Sequence, residues 1–133
     1  MKILIKILLT ILFSITSLFS QWERCNGPYG GVINSLYSKE DTIFAGSSVG
    51  VFKSTNNGNN WFAIDSLKSY NYTCFAENSS FIFTVSVAGG VYKSSDCGET
   101  WVAIHSDLPA SNKNFVIVKD SNVFIGTSKG IFK

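Results

Sequence analysis

Three copies of a unit of about forty residues, each cut into short apolar runs by Gly, Asn and Ser, predict an all-β fold. The specific expectation is a partial β-propeller: two four-stranded antiparallel blades plus part of a third, preceded by a signal peptide helix. The first observation behind it is an echo. Gly50-Val51-Phe52-Lys53 returns as Gly90-Val91-Tyr92-Lys93 and again as Gly130-Ile131-Phe132-Lys133. Gly58 and Gly98, like Trp61 and Trp101, keep the same step of 40, which implies an array without insertion or deletion. The second observation is strand chemistry. The runs are short, β-branched or aromatic, and bounded by turn formers, so a helical reading fails. The third is that Ile43-Phe44-Ala45 and Phe115-Val116-Ile117-Val118 are apolar at consecutive positions. That pattern predicts sheets covered on both faces rather than half-solvated strands.

The chain has 133 residues, of which 1–20 read as a separate segment. Lys2 and Lys6 give a basic start, and Ile7 to Phe19 is an apolar run, interrupted only by Thr and Ser, before Ser20. This layout predicts a secretory signal peptide, too short for a membrane span, and hence a secreted chain, periplasmic or extracellular, with no stable membrane insertion once cleaved. Residues 21–133 then form the incomplete propeller, with repeats at about 32–66, 72–106 and 112–133.

Within the first repeat, Val32 to Tyr37 reads as the first strand and Lys39-Glu40-Asp41 as a polar turn. Thr42 to Gly46 and Val51 to Thr55 are two strands around the turn Ser47-Ser48-Val49-Gly50. Asn56-Asn57-Gly58-Asn59-Asn60 forces a further turn, and Trp61 to Ile64 is the fourth strand. The second repeat offers strands at Thr73 to Glu77, Phe81 to Val85, Val91 to Ser95 and Trp101 to Ile104. The third supplies Phe115 to Val118, Val123 to Gly126 and the start of a third strand. Trp22-Glu23-Arg24 lies close to one repeat step ahead of the Trp61 strand, as an outermost strand donated from the N-terminus would.

The most specific motif is Ser94-Ser95-Asp96-Cys97-Gly98-Glu99-Thr100-Trp101, of the form Ser-x-Asp-x-Gly-x-Thr-Trp. Its chemistry is that of a self-contained turn. Asp96 can accept backbone amides as an Asx-turn does, Gly98 can take positive φ, and Ser94 and Thr100 can close the loop with hydroxyls. Trp101 is expected to pack beneath it, contributing ~4–6 kcal/mol as an upper bound from its buried area. The first copy, Ser54-Thr55-Asn56-Asn57-Gly58-Asn59-Asn60-Trp61, keeps Ser54, Asn56, Gly58 and Trp61 in the same frame. Asn56 replaces Asp but still suits an Asx-turn, and Asn60 replaces Thr.

This pattern resembles the Asp-box (BNR) repeat family over roughly residues 22–133. It is similar to the propellers related to photosystem II stability factors and to sortilin-type domains. The resemblance implies a propeller of six or more blades in which the box lies in an outer hairpin and is structural. It also raises an N-terminal fragment of a sialidase-like glycoside hydrolase as the alternative function. Such enzymes use three arginines, a Tyr nucleophile beside a carboxylate, and an acid–base Asp. This chain has one arginine, Arg24. Tyr92 stands where Phe52 and Phe132 stand in the other copies, so it reads as core, and His105 is the single histidine. No catalytic residue, cofactor or metal ligand is expected, and the sequence predicts a non-catalytic binding or scaffold module.

Charge and cysteine content narrow the partners. With the leader removed, nine Lys and Arg balance nine Asp and Glu, and no basic cluster remains to bind nucleic acid. Cys25, Cys74 and Cys97 match no zinc spacing, and an odd number leaves at least one thiol unpaired. In the 40-residue frame Cys74 falls on Asn34 and Cys97 on Asn57, so the cysteines read as incidental, partly buried small residues. Asn71-Tyr72-Thr73 and Asn78-Ser79-Ser80 are glycosylation sequons whose use depends on the host. Candidate ligand loops are 26–31, 66–71 and 106–114, where Tyr29 and Tyr70 can serve as aromatic platforms for a protein or carbohydrate ligand, with loop packing the simpler reading of both. Two blades and part of a third leave the ring open. The expectation is therefore a piece of a longer propeller, or a chain that associates with itself through exposed blade faces.

Overall fold

A computed structural model of the protein describes residues 22–104, 107–109 and 111–133. The expected signal peptide and His105 lie outside these residues. Eleven strands are found among the described residues. The first sheet holds β1 (Ile33–Lys39), β2 (Thr42–Ser47), β3 (Gly50–Ser54) and β4 (Phe62–Lys68). The second holds β5 (Tyr72–Glu77), β6 (Ile82–Ser86), β7 (Gly90–Ser94) and β8 (Val102–Ala103). The third holds β9 (Lys113–Lys119), β10 (Asn122–Thr127) and β11 (Gly130–Phe132). Each is an antiparallel meander whose spatial order follows the sequence. The first strands β1, β5 and β9 pack against one another in turn, which sets the sheets face to face in succession. The protein is thus all-β, with the arrangement of a partial β-propeller.

Strand pairing refines the repeat. Ser47 pairs with Gly50 across the first β2–β3 turn, Ser86 with Gly90 across the second, and Thr127 with Gly130 across the third. The step from Ser47 to Ser86 falls one short of the step from Gly50 to Gly90, so the second hairpin holds an extra residue. The connection between sheets is correspondingly shorter there: the stretch from Trp61 to Tyr72 is one position shorter than its counterpart from Trp101 to Lys113. The constant step of 40 therefore hides compensating single-residue changes, contrary to the expectation of none. Register also reassigns Cys74. It faces Val85 as Ser35 faces Gly46, so its counterpart is Ser35 and not Asn34.

The same irregularity recurs in every copy. Pairing slips at Asn34 in β1, Thr73 in β5 and Asn114 in β9, so a bulge falls at the same place in the first strand of every sheet. The bulged residues tie neighbouring sheets. Asn34 Nδ2 donates to Tyr72 O at 3.2 Å and to Asn71 Oδ1 at 2.7 Å, and Thr73 Oγ1 donates to Asn114 O at 2.8 Å. A bulge turns a side chain out of the pleat, which lets it reach the next sheet.

Two apolar layers hold the sheets together. Phe44, Val51, Ile64 and Leu67 of the first sheet meet Tyr72, Ile82 and Trp101 of the second. Phe83, Val85 and Val91 of the second meet Val116 and Ile125 of the third. Tyr92 packs against the first of these layers. At ~25 cal/mol per Å² such burial is the main stabilising term. Coverage is not uniform, however. Val116 is buried, but Phe115 is 65% and Ile117 60% exposed, so β9 is not covered on both faces as its apolar run implied. A continuous apolar run marks the side chains suited to a two-sided layer, while coverage depends on which sheets are present. Trp22-Glu23-Arg24 belongs to no strand, and Trp22 is fully exposed (104%). The sequence reading assigned it to the last blade of a ring, and among the described residues no strand pairs with it.

Candidate functional site

The turn from Ser94 to Trp101 is built from the end of β7 outward. Ser94 Oγ accepts the Gly98 N–H at 2.8 Å and donates to Asp96 Oδ1 at 2.7 Å. Asp96 Oδ1 also accepts the Thr100 N–H at 2.9 Å, and Oδ2 accepts the Thr100 hydroxyl at 2.5 Å. The Thr100 hydroxyl, its backbone N–H and Ser94 together hold the Asp96 carboxyl down at about 2. Trp101 Nε1 donates to Gly98 O at 3.1 Å, which fixes the indole beneath the loop. Both Trp61 and Trp101 precede their strands, which begin at Phe62 and Val102, rather than opening them as the sequence suggested. Their rings close the turn and do not extend the ladder.

The first copy repeats these bonds, except that from the Thr100 hydroxyl, with an amide in place of the carboxylate. Asn60 N donates to Asn56 Oδ1 at 2.9 Å, Gly58 N to Ser54 Oγ at 2.9 Å, and Trp61 Nε1 to Gly58 O at 3.0 Å. Cys97 and Asn57 occupy one position of the two turns and share a left-handed backbone, with φ of 53° and 57°. Cys97 and Cys25 are exposed and Cys74 half-buried, all three as free thiols. The expectation of partly buried cysteines holds for Cys74 alone, because Cys97 sits at a turn tip and Cys25 outside the sheets.

What each turn rests on differs. The Gly98 and Trp101 face of the second sheet packs on Phe44 of the first, and a Cβ at Gly98 would run into the Phe44 ring. The corresponding face of the first sheet is met by the N-terminal segment instead. Cys25 Sγ lies 3.2 Å from where a Gly58 Cβ would stand, and Gly27 sits over Trp61. Trp101 is consequently buried (9% exposed) while Trp61 is half-buried.

The two tyrosine platforms are not brought together. Tyr29 is 70% exposed and donates to Asn26 Oδ1 at 2.5 Å beside Phe52, Trp61 and Phe62. Tyr70 is 43% exposed, and its ring lies over Gly89, within the longer β6–β7 hairpin. A different surface spans two sheets. A groove of about 410 Å³ is lined by Lys53, Asp65 and Ser66 of the first sheet and by Glu99, Thr100 and Trp101 of the second. Lys53 Nζ and Glu99 Oε1 bridge it at 2.5 Å. Deeper between the same sheets, Lys39 pairs with Glu77 at 2.7 Å. Lys39 holds the Glu77 carboxyl below its usual range, and burial with Glu77 nearby raises the Tyr37 phenol. Sequence reading missed this groove. The available signal was the Lys53, Lys93, Lys133 step; the second of these lysines lies over the Phe81 ring, with Nζ 4.7 Å from its centroid.

Among the described residues no group of three or more His, Cys, Asp and Glu side chains is placed to hold a metal ion. No family model and no curated protein matches the chain. Solved structures do resemble it. YCF48 from Cyanidioschyzon merolae superposes with a TM-score of 0.67 at 17% identity, over 84% of this chain and 36% of YCF48. YCF48 bound to D1 peptide gives 0.65 at 14%, over 86% of this chain and 39% of the other. The computationally designed Ika4 protein gives 0.59 at 15%, over 75% of this chain and 64% of Ika4. The protein shares the propeller fold. At these identities the likeness shows that fold alone, and the chain spans less than two thirds of each of these structures.

Proposed function

We propose that the chain is a secreted, non-catalytic propeller segment of the Asp-box type, whose rigid sheets present loops and grooves to a protein ligand. The observation that carries this reading is the state of Asp96. Its two oxygens are engaged by Ser94 and Thr100, so the one box carboxylate closes a hairpin rather than facing a substrate. A single arginine in 133 residues also argues against a three-arginine carboxylate clamp. A protein ligand is favoured over a carbohydrate by one parallel: a structural neighbour, YCF48, is described bound to D1 peptide. The groove between the first and second sheets, with Lys53, Asp65 and Glu99 on its walls, offers both charges to an extended peptide.

The test has two arms on the purified chain. Turnover of sialosides and common aryl glycosides is expected to stay at the uncatalysed rate. Saturable binding to pools of fluorescent extended peptides is expected, and Lys53→Ala is expected to weaken it. Turnover that copurifies with the chain overturns the non-catalytic reading, and failure to bind any pool overturns the protein-ligand reading. Export is checked separately: a reporter fused after residue 21 leaves the cytoplasm if 1–20 is a signal peptide.

A further inference from the structure

We infer that the groove between the first and second sheets receives its peptide through a cationic side chain, arginine or lysine, laid against Asp65 and Glu99. This rests on the peptide-ligand reading and specifies its chemistry. Both walls belong to four-stranded sheets. One wall comes from an irregular edge. Between the pairs Gly50–Lys68 and Phe52–Ala63, β3 has one residue, Val51, and β4 has four, Ile64 to Leu67. A bulge of this kind bends its strand and re-aims the extra side chains. Ile64 and Leu67 turn into the core at 7% and 0% exposure, while Asp65 and Ser66 stand out at the rim. The other wall is the second box turn, which brings Glu99 and Thr100 to the groove beside Trp101.

The charges near these walls are not equally available. Asp96 has both oxygens engaged inside its own turn. Lys53 pairs with Phe44 and so stands on the face of β3 that meets the second sheet. Its side chain is only 20% exposed and is committed to Glu99 Oε1. Lys53 therefore anchors Glu99 at the groove rather than meeting a ligand. The side chains of Glu99 and Asp65 are 67% and 86% exposed. Each uses one oxygen, Glu99 Oε1 on Lys53 and Asp65 Oδ1 on Lys68, and among the described residues no donor meets the other oxygen. Lys68 does not line the groove.

What the groove presents to solvent is thus acidic, beside the apolar surface of Ala63, Ile64 and Trp101. That surface suits the methylene stem of a lysine or arginine, whose charged head then meets the free carboxylate oxygens. An acidic segment has to displace Glu99 from Lys53, and a neutral one gains nothing from either carboxylate.

Fluorescence anisotropy on the purified chain at low salt tests this. The probes are short labelled peptides of alternating Ala and Thr, alike except for a central Arg, Leu or Glu. The Arg probe is expected to bind at least about tenfold more tightly than the Glu probe, with the Leu probe between, and the margin shrinks in high salt. Asp65→Asn, at an exposed rim position, narrows the margin about threefold. Glu99→Gln also narrows it and strengthens the Glu probe, because Lys53 loses its partner. Lys53→Ala weakens the Arg probe and Lys53→Arg restores it, as an anchor for Glu99 requires. Equal binding of the Arg and Glu probes, or a margin that ignores Asp65→Asn, overturns the inference and leaves the peptide reading standing. So does a chain that binds the peptide pools but none of these probes. Failure of pools and probes together overturns the reading on which the inference rests.

Discussion

Phe44 in β2 and Trp101 beneath the second turn meet edge to face, with ring centroids 6.3 Å apart and planes at 83°. This contact joins two sheets through a turn that is otherwise local. Phe44 also lies 6.0 Å from Tyr37 and 6.1 Å from Phe75, so one buried ring links the turn to the innermost strands.

Trp101→Ala removes the indole from this cluster and is expected to destabilise the chain by about 3–5 kcal/mol. Trp61→Ala costs roughly half as much, because Trp61 is half-buried against a segment that is not a sheet. Denaturant midpoints of the two variants check the order. Equal losses would mean that the inter-sheet contact adds nothing to the turn.

Gly98 has φ of 83°, and an added Cβ collides with Phe44. Gly98→Ala combines backbone strain with overpacking and is expected to cost about 2–4 kcal/mol. Gly130, with φ of 118°, has open space around it. Gly130→Ala carries the strain alone, about 1–2 kcal/mol. The difference in melting temperature between the variants isolates the steric part.

Asp96 has a folded value of about 2 against an ordinary 3.8. A depressed carboxyl contributes stability that is complete above its unfolded value and is lost as pH falls through the folded one. Stability is therefore expected to drop between about pH 4 and pH 2, in part through Asp96. Asp96→Asn is expected to fold at neutral pH with a loss of about 1 kcal/mol or less, since Asn56 makes the corresponding bonds in the first turn. Its acid-induced loss should be smaller than that of the parent chain, which acid titration of urea midpoints measures.

Lys39–Glu77 and Lys53–Glu99 both cross from the first sheet to the second at partly exposed positions. Lys39→Met and Lys53→Met are each expected to cost about 0.2–1 kcal/mol at low salt, and less at high salt. A loss that persists in high salt would point to packing of the lysine stems rather than charge.

Local chemistry was legible in the sequence wherever the residues act on their own backbone. Ser94, Asp96, Gly98 and Thr100 bond to one another within a single short stretch of chain, so their spacing alone announces the turn. Strand existence was equally plain from the Gly-Val-Phe-Lys echo. Three features were not. The counterpart of Cys74 is Ser35, because an extension of one hairpin offsets a shorter connection, and a constant period conceals two terms. The exposure of Phe115 and Ile117 depends on neighbours that an apolar run does not name. The groove between Lys53 and Glu99 joins residues 46 positions apart.

By itself the sequence determined the β-hairpins, the box-like turns and the period, since turn bonding and strand propensity are set by residues close along the chain. Tertiary structure decided which faces are covered, and it alone showed Trp101 on a ring of another sheet while the Gly58 and Trp61 face is met by the N-terminal segment at Cys25 and Gly27. The reason is physical: hydrogen bonds in a turn close over a few residues, whereas burial is settled by whichever surface happens to lie opposite.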